Sequence, residues 1–229
     1  MSADERLVKA IRAGLAEVAD PAKAPAMQAY MKSAVPFRGV AKPQRSALLK
    51  QLLAEHTLPD RVTFSATVLK LWRTAEYREE RYAAIDLSGY RAYRQWQDPE
   101  LLPVYEEMIV GGAWWDYVDE LAIRRIGPIL RSFRTRVTPT MLAWASDTDL
   151  WRRRTAIICQ VGAKEDTDTG LLTRAIEPAI AEPEFFLRKG IGWALRDYAK
   201  TAPDWVRRFV DDHPGLSGLS RREALKHIG

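Results

Sequence analysis

Trp115-Asp116-Tyr117-Val118-Asp119 is followed 36 residues later by Trp151-Arg152-Arg153-Arg154-Thr155, and after a further 35 by Phe186-Leu187-Arg188-Lys189-Gly190. Tyr77-Arg78-Glu79-Glu80-Arg81-Tyr82 opens the same pattern 38 residues before Trp115. Each segment is an aromatic followed by mixed charge and small apolar residues. A period of this length is the signature of helix pairs stacked as HEAT-like repeats, whose concave face is the usual binding surface. Ordinary bundle helices can match such spacing by coincidence, and the spacing alone leaves both readings open.

Working outward, the periodicity is helical everywhere. Glu5 to Val18 carries Leu7, Val8, Ile11, Leu15 and Val18 on one stripe. Pro43 stands where a first helical turn tolerates proline, ahead of Arg45 to Leu53. Thr63 to Trp72 repeats the pattern with Phe64, Val68, Leu69 and Trp72. Further helices are expected to begin near Tyr77, Pro99, Trp114, Pro139, Leu150, Asp168, Phe185, Pro203 and Ser220. No alternating run reads as a strand, and no Gly/Ser linker marks a boundary. The expectation is an all-α chain forming one domain over residues 1–229.

Composition narrows the function classes. The chain has 229 residues, 47% of them hydrophobic, which supports a real core and argues against disorder. No apolar run approaches the roughly 20 residues of a membrane helix. The charged stretch from Met1 to Ala10 lacks a signal-peptide core. With one cysteine, Cys159, and three scattered histidines (His56, His213 and His227), neither a disulfide nor a metal site is expected. These features read as a reduced, cytoplasmic protein without a membrane anchor.

Lys and Arg exceed the acids by five over the chain. Between Leu121 and Gln160 eight arginines face only two acids, Asp147 and Asp149, a net of +6. Arginine suits bidentate phosphate contacts. The stretch is either a polyanion-binding surface or a solvated helical face.

Candidate chemistry centres on the tryptophans. On a helix Trp115 and Asp119 share a face, as i and i+4. Their pairing reads either as an exposed acid beside a buried indole or as a functional anion in an aromatic pocket. Two glycines surround Ile191 in Gly190-Ile191-Gly192-Trp193, at a cost of about 1 kcal/mol each within a helix. They imply close approach by a neighbouring helix or by a ligand strand. Arg196 follows Trp193 by three residues, on a similar face. No phosphate loop, nucleophile elbow or Cys–His pair is present, and Cys159 sits in an apolar run as a core residue.

These segments resemble the AlkD-like family of HEAT-like repeat DNA glycosylases. The likeness runs nearly end to end. It takes in Tyr30-Met31-Lys32, Pro36-Phe37-Arg38-Gly39-Val40, Trp114 to Asp119, Leu150 to Ile157, Glu184 to Phe186 with Arg188-Lys189, Ile191 to Lys200, and Leu219 to Ile228. Arg38 departs from the pattern, where an apolar residue is usual, and so does Lys42, where a capping residue precedes Pro43. The resemblance implies a curved α-solenoid whose basic concave face holds double-stranded DNA. It implies hydrolysis of the N-glycosidic bond of N3- and N7-alkylated purines, with the damaged nucleotide left stacked. Asp119 would be catalytic, with Trp115 and Trp193 flanking the lesion. Arg154 would grip the DNA backbone and Tyr30 would lie beside it, with Arg153 and Arg196 as further DNA contacts. No cofactor is implied, and a monomer fits.

The chemistry is coherent. A cationic alkylpurine departs as a neutral base, so little acid catalysis is needed. An ionised Asp119, with an unperturbed pKa near 3.9, would stabilise the charge left on the sugar. A binding module without catalysis, for DNA or for protein, is the alternative. It gains nothing from a carboxylate facing phosphates.

Overall fold

The computed structural model describes residues 2–229; Met1, the first residue of the charged N-terminal stretch, lies outside the described residues. Among the described residues there are fourteen α-helices and no strand. Among the described residues no helix is long and apolar enough to cross a membrane. The chain forms two compact units, one ending at Trp96 and the other beginning at Gln97.

The first unit contains α1 (Glu5–Glu17), α2 (Ala24–Met31), α3 (Lys42–Glu55), α4 (Arg61–Arg73) and α5 (Arg78–Ser88), closed by a 3₁₀ segment, Arg91–Trp96. The Asp4 side chain caps α1 by accepting from the Leu7 N–H, and Asp60 caps α4 through Thr63. The stripe of Leu7, Val8, Ile11 and Leu15 is fully buried, with Phe64, Val68 and Leu71 of α4 and Ala83, Ala84 and Leu87 of α5. Helix α3 starts at Lys42 with Pro43 in its first turn. Ala41 offers no capping oxygen, but the Gln44 side chain accepts from the Ala41 N–H.

This unit also buries charge. Glu79 Oε1 accepts from the N–H groups of Gly39 and Val40 at 2.9 and 3.1 Å, and Oε2 from that of Arg38 at 3.0 Å. Gly39 has φ +82, and a Cβ there would collide with the Asp20 carbonyl. Glycine is therefore what lets this loop wrap the carboxylate. Glu80 takes Arg12 Nε at 3.1 Å. Arg38, the departure from the family pattern, stacks 3.7 Å over the Tyr77 ring and reaches Glu80.

The second unit contains α6 (Leu102–Gly112), α7 (Trp115–Leu121), α8 (Gly127–Ser132), α9 (Arg134–Ala145), α10 (Leu150–Ile158), α11 (Thr169–Ile176), α12 (Phe185–Tyr198), α13 (Pro203–Asp212) and α14 (Gly218–Leu225). Helix α10 lies among α7, α9, α11 and α12, and α14 packs closely on α12. Ile157, Ile158, Leu172, Leu187, Ile191, Leu195, Val206 and Phe209 are among the core side chains. Cys159 is fully buried there, and burial pushes its thiol pKa up to about 12, so it is inert near neutrality.

Two local departures have physical causes. Pro139 lies inside α9 rather than at its start. The carbonyl that loses a partner belongs to Thr135, an exposed residue, so water can satisfy it. Between α7 and α8 the chain makes a π turn, Ala122–Ile126, in which the Gly127 N–H reaches the Ala122 carbonyl. Pro128 has no N–H to give the Arg124 carbonyl, and the Arg125 guanidinium donates to it instead, at 3.2 Å. Such turns recur beside functional sites.

Candidate functional site

The four aromatic-led segments all fall at helix N-termini: α5, α7, α10 and α12. In the second unit, the first turns of α7, α10 and α12 meet. Their meeting point is Arg154. Its Nε and one terminal nitrogen each donate at 2.8 Å to the two carboxylate oxygens of Asp119. The other terminal nitrogen donates at 2.5 Å to the Phe186 carbonyl. Three helices are thus joined through one side chain.

Local sequence explains this convergence. Helix α6 ends with Ala113 in the left-handed region, φ +45, a strained position costing about 1–2 kcal/mol without glycine. The turn lets α7 begin two residues later. Asp149 caps α10, accepting from the Trp151 and Arg152 N–H groups at 2.9 Å. Arg152 ties the start of α10 to Glu106 of α6 at 2.8 Å. On α12, Gly190 leaves the space that Arg154 occupies: a Cβ would stand 3.2 Å from its terminal nitrogen. Gly192 serves a neighbouring helix, with Glu223 of α14 against it. Within the protein, then, both glycines answer to protein neighbours.

Arg154 is 4% exposed and Asp119 15%. Burial raises the Asp119 pKa above its ordinary value, the two Arg154 hydrogen bonds and charge oppose this, and nearby Asp116 adds to the rise. The carboxyl is therefore not the unperturbed one that the sequence suggested. An apolar wall adjoins the pair. Trp151 and Phe186 lie 5.1 Å apart, Trp114 meets Phe186 edge-on at 5.7 Å, and exposed Phe185 meets Phe186 at 5.5 Å. Trp115, half-buried, shares the helix face of Asp119. Trp193 packs against the core one turn beyond Gly190.

Arg153 and Arg196 have ion-pair partners of their own. Arg153 is engaged with Glu182 and with the Pro178 carbonyl, both at 3.1 Å. Arg196 pairs with Glu223. Tyr30 is exposed on α2, in the first unit. The arginine-rich stretch is paired largely with acids from outside it, and Asp147 within it takes part. Arg134 faces Asp168, Arg136 faces Glu100, and Arg152 faces Glu106 and Asp147. Among the described residues no group of three or more His, Cys, Asp or Glu stands together as metal ligands do. Two participants were not singled out beforehand. The Phe186 carbonyl is a main-chain group with no sequence signal, whereas Glu223 was signalled only by the missing side chain at Gly192.

A family model for DNA alkylation repair enzymes matches residues 11–228. The chain belongs to the DNA alkylation repair enzyme family. A solved structure described as a predicted DNA alkylation repair enzyme from Enterococcus faecalis is 34% identical, with a TM-score of 0.82 over 92% of this chain and 97% of that one. AlkD2 from Streptococcus mutans, at 19% identity and TM-score 0.61, covers 79% of this chain and 88% of its own. The smu.31 structure from Streptococcus mutans UA159 gives the same identity and TM-score, covering 79% of this chain and 91% of that one. These last two are similar in fold. No curated protein gives a significant match. Family membership assigns a role in DNA alkylation repair to this helical framework.

Proposed function

We propose that this member of the DNA alkylation repair family is a DNA glycosylase acting on cationic N3- and N7-alkylated purines in duplex DNA. The observation that carries the reading is Asp119: a partly exposed carboxylate, fixed by a buried arginine, beside an aromatic wall and on the face of Trp115. The C1′–N bond breaks with its electron pair moving to the base, which leaves neutral. Positive charge develops on the sugar, and Asp119 is placed to stabilise it. Water, positioned by Asp119, then adds at C1′ and releases one proton to solvent. The faces of Trp115 and Trp193 add cation–π attraction of roughly 0.5–2 kcal/mol each. The damaged nucleotide stays in the stack, as the resemblance implies.

Arg154 is best placed as a positioning residue for Asp119, since its three nitrogens are already engaged. Each terminal nitrogen keeps a second N–H, but the side chain is only 4% exposed, which leaves it little surface to offer a phosphate. Tyr30, Arg153 and Arg196 are proposed to lie along the DNA backbone, with residues 1–229 acting as one functional domain and as a monomer, in the cytoplasm or on the nucleoid. The reaction as written uses no cofactor.

One observation favours a second reading, a DNA- or protein-binding module without catalysis: a bidentate, nearly buried Asp–Arg pair can serve the fold alone. The two readings part in one assay. DNA containing N7-methylguanine is incubated with wild type and with Asp119→Asn, and free base is quantified. Release by wild type alone supports the glycosylase. Equal release by both removes Asp119 from the mechanism. Release by neither, across small and bulky adducts, leaves the binding module.

A further inference from the structure

Helix α14 sets Glu223 between two cations of α12. One carboxylate oxygen accepts from Lys189 Nζ at 2.8 Å, and the other from the Arg196 guanidinium. Lys189 precedes Trp193 by four residues and Arg196 follows it by three, so the three share a face of α12. The cations remain partly open, at 42% and 25% side-chain exposure, while the carboxylate between them is 16% exposed.

The approach of α14 is built into the sequence. A Cβ at Gly192 would stand 2.5 Å from Glu223 Cβ and 3.2 Å from the Ser220 carbonyl. Ser220 Oγ donates to the Arg188 carbonyl at 2.9 Å, and Ser217 Oγ accepts from the Ser220 N–H at 3.0 Å. The Leu219 to Ile228 segment, which the Asp119 site does not use, thereby delivers one anion to two cations.

Part-exposed ion pairs contribute little stability, so stability alone is a weak reason for this construction. One anion taking two cations on separate oxygens is also how a phosphate is held. Lys189 pulls the Glu223 pKa below its ordinary value through its hydrogen bond, with Arg196 adding its charge, so the anion persists at neutral pH. We infer that Glu223 is an internal phosphate surrogate, holding Lys189 and Arg196 in the DNA-free protein and yielding them to a backbone phosphate when duplex DNA binds. This rests on the DNA-binding reading above.

The test is a titration of undamaged duplex against wild type and Glu223→Gln between 50 and 200 mM salt. Glutamine keeps the shape and removes the competing charge. The variant is expected to bind severalfold tighter, because no internal anion has to be displaced, with a salt slope at least as steep as that of wild type, since both complexes make the phosphate contact. Unchanged affinity, or weaker binding at an unchanged melting temperature, overturns the inference and leaves Glu223 a contact of the fold. If the glutamine variant does not fold, Glu223→Asp replaces it. Aspartate keeps the charge but is too short to span both cations, and it is expected to shift binding in the same direction by less. If wild type shows no salt-sensitive DNA binding, the DNA reading itself falls. If wild type binds and the variants match it, only the surrogate role falls.

Discussion

Glu79 on α5 and Asp119 on α7 occupy one sequence pattern, an aromatic followed by acids at a helix start, and the fold treats them differently. Glu79 is buried and receives three backbone N–H groups from the loop at 38–40. Its charge is consumed in tying that loop to α5. Asp119 is held instead by a side chain, the Arg154 guanidinium, with an edge still open to solvent. A carboxylate clasped by main chain is part of the scaffold. A carboxylate held by a side chain, beside aromatic faces, is available for chemistry.

The largest effect is expected at the scaffold acid. Glu79→Ala strands the buried N–H groups of Gly39 and Val40 and should lower stability by about 3–5 kcal/mol. Urea denaturation reads this directly; a loss under 1 kcal/mol would show that the loop does not depend on the carboxylate. Asp119→Asn tests the other half of the contrast. Base release should fall roughly 100-fold or more while the protein stays folded. A fall in activity that merely tracks a lowered melting temperature would make Asp119 a second Glu79.

Arg154→Lys sharpens the contrast further. Lysine keeps the charge and loses the two-pronged grip, so base release should drop about 10-fold. The salt dependence of DNA binding should not change, because a positioning residue neutralises no phosphate. A slope shallower by about 0.9 would restore the direct backbone contact expected from the resemblance.

Much of the framework was legible because its signals are local. Asp149 and Asp168 cap α10 and α11, Pro203 opens α13, and the Leu7 to Leu15 stripe goes into the core. Helix α2 escaped notice because none of its residues is buried, so no apolar stripe exists to find. Pro139 misled because it lies inside α9 rather than at its start, with the orphaned Thr135 carbonyl at an exposed residue. The site was legible as residue types but not as pairings. Asp119 and Arg154 are 35 positions apart, and the family resemblance assigned the arginine to the DNA backbone. Most acids that pair with the arginine-rich stretch, such as Glu100, Glu106 and Glu182, lie outside it in sequence. Charge excess along the chain is therefore a poor guide to charge excess on a surface.

The smallest expected effect is in pH, and it separates Asp119 from Glu223. Burial raises the Asp119 pKa, so the folded state holds that proton more tightly than the unfolded chain does. Its contribution to stability is fully present below the ordinary value of 3.8 and is lost as pH rises through the raised folded value. Glu223 has the opposite sign. Its lowered pKa contributes stability above the ordinary value of 4.5, and that stability is lost as pH falls through the folded value. Base release should follow the ionised form of Asp119, with an acid limb whose midpoint lies above 3.8. Measured under single-turnover conditions on N7-methylguanine DNA, a limb at or below 3.8 would mean that Arg154 outweighs burial. The same measurement on Glu223→Gln should leave the limb in place, because the two carboxylates answer to different cations.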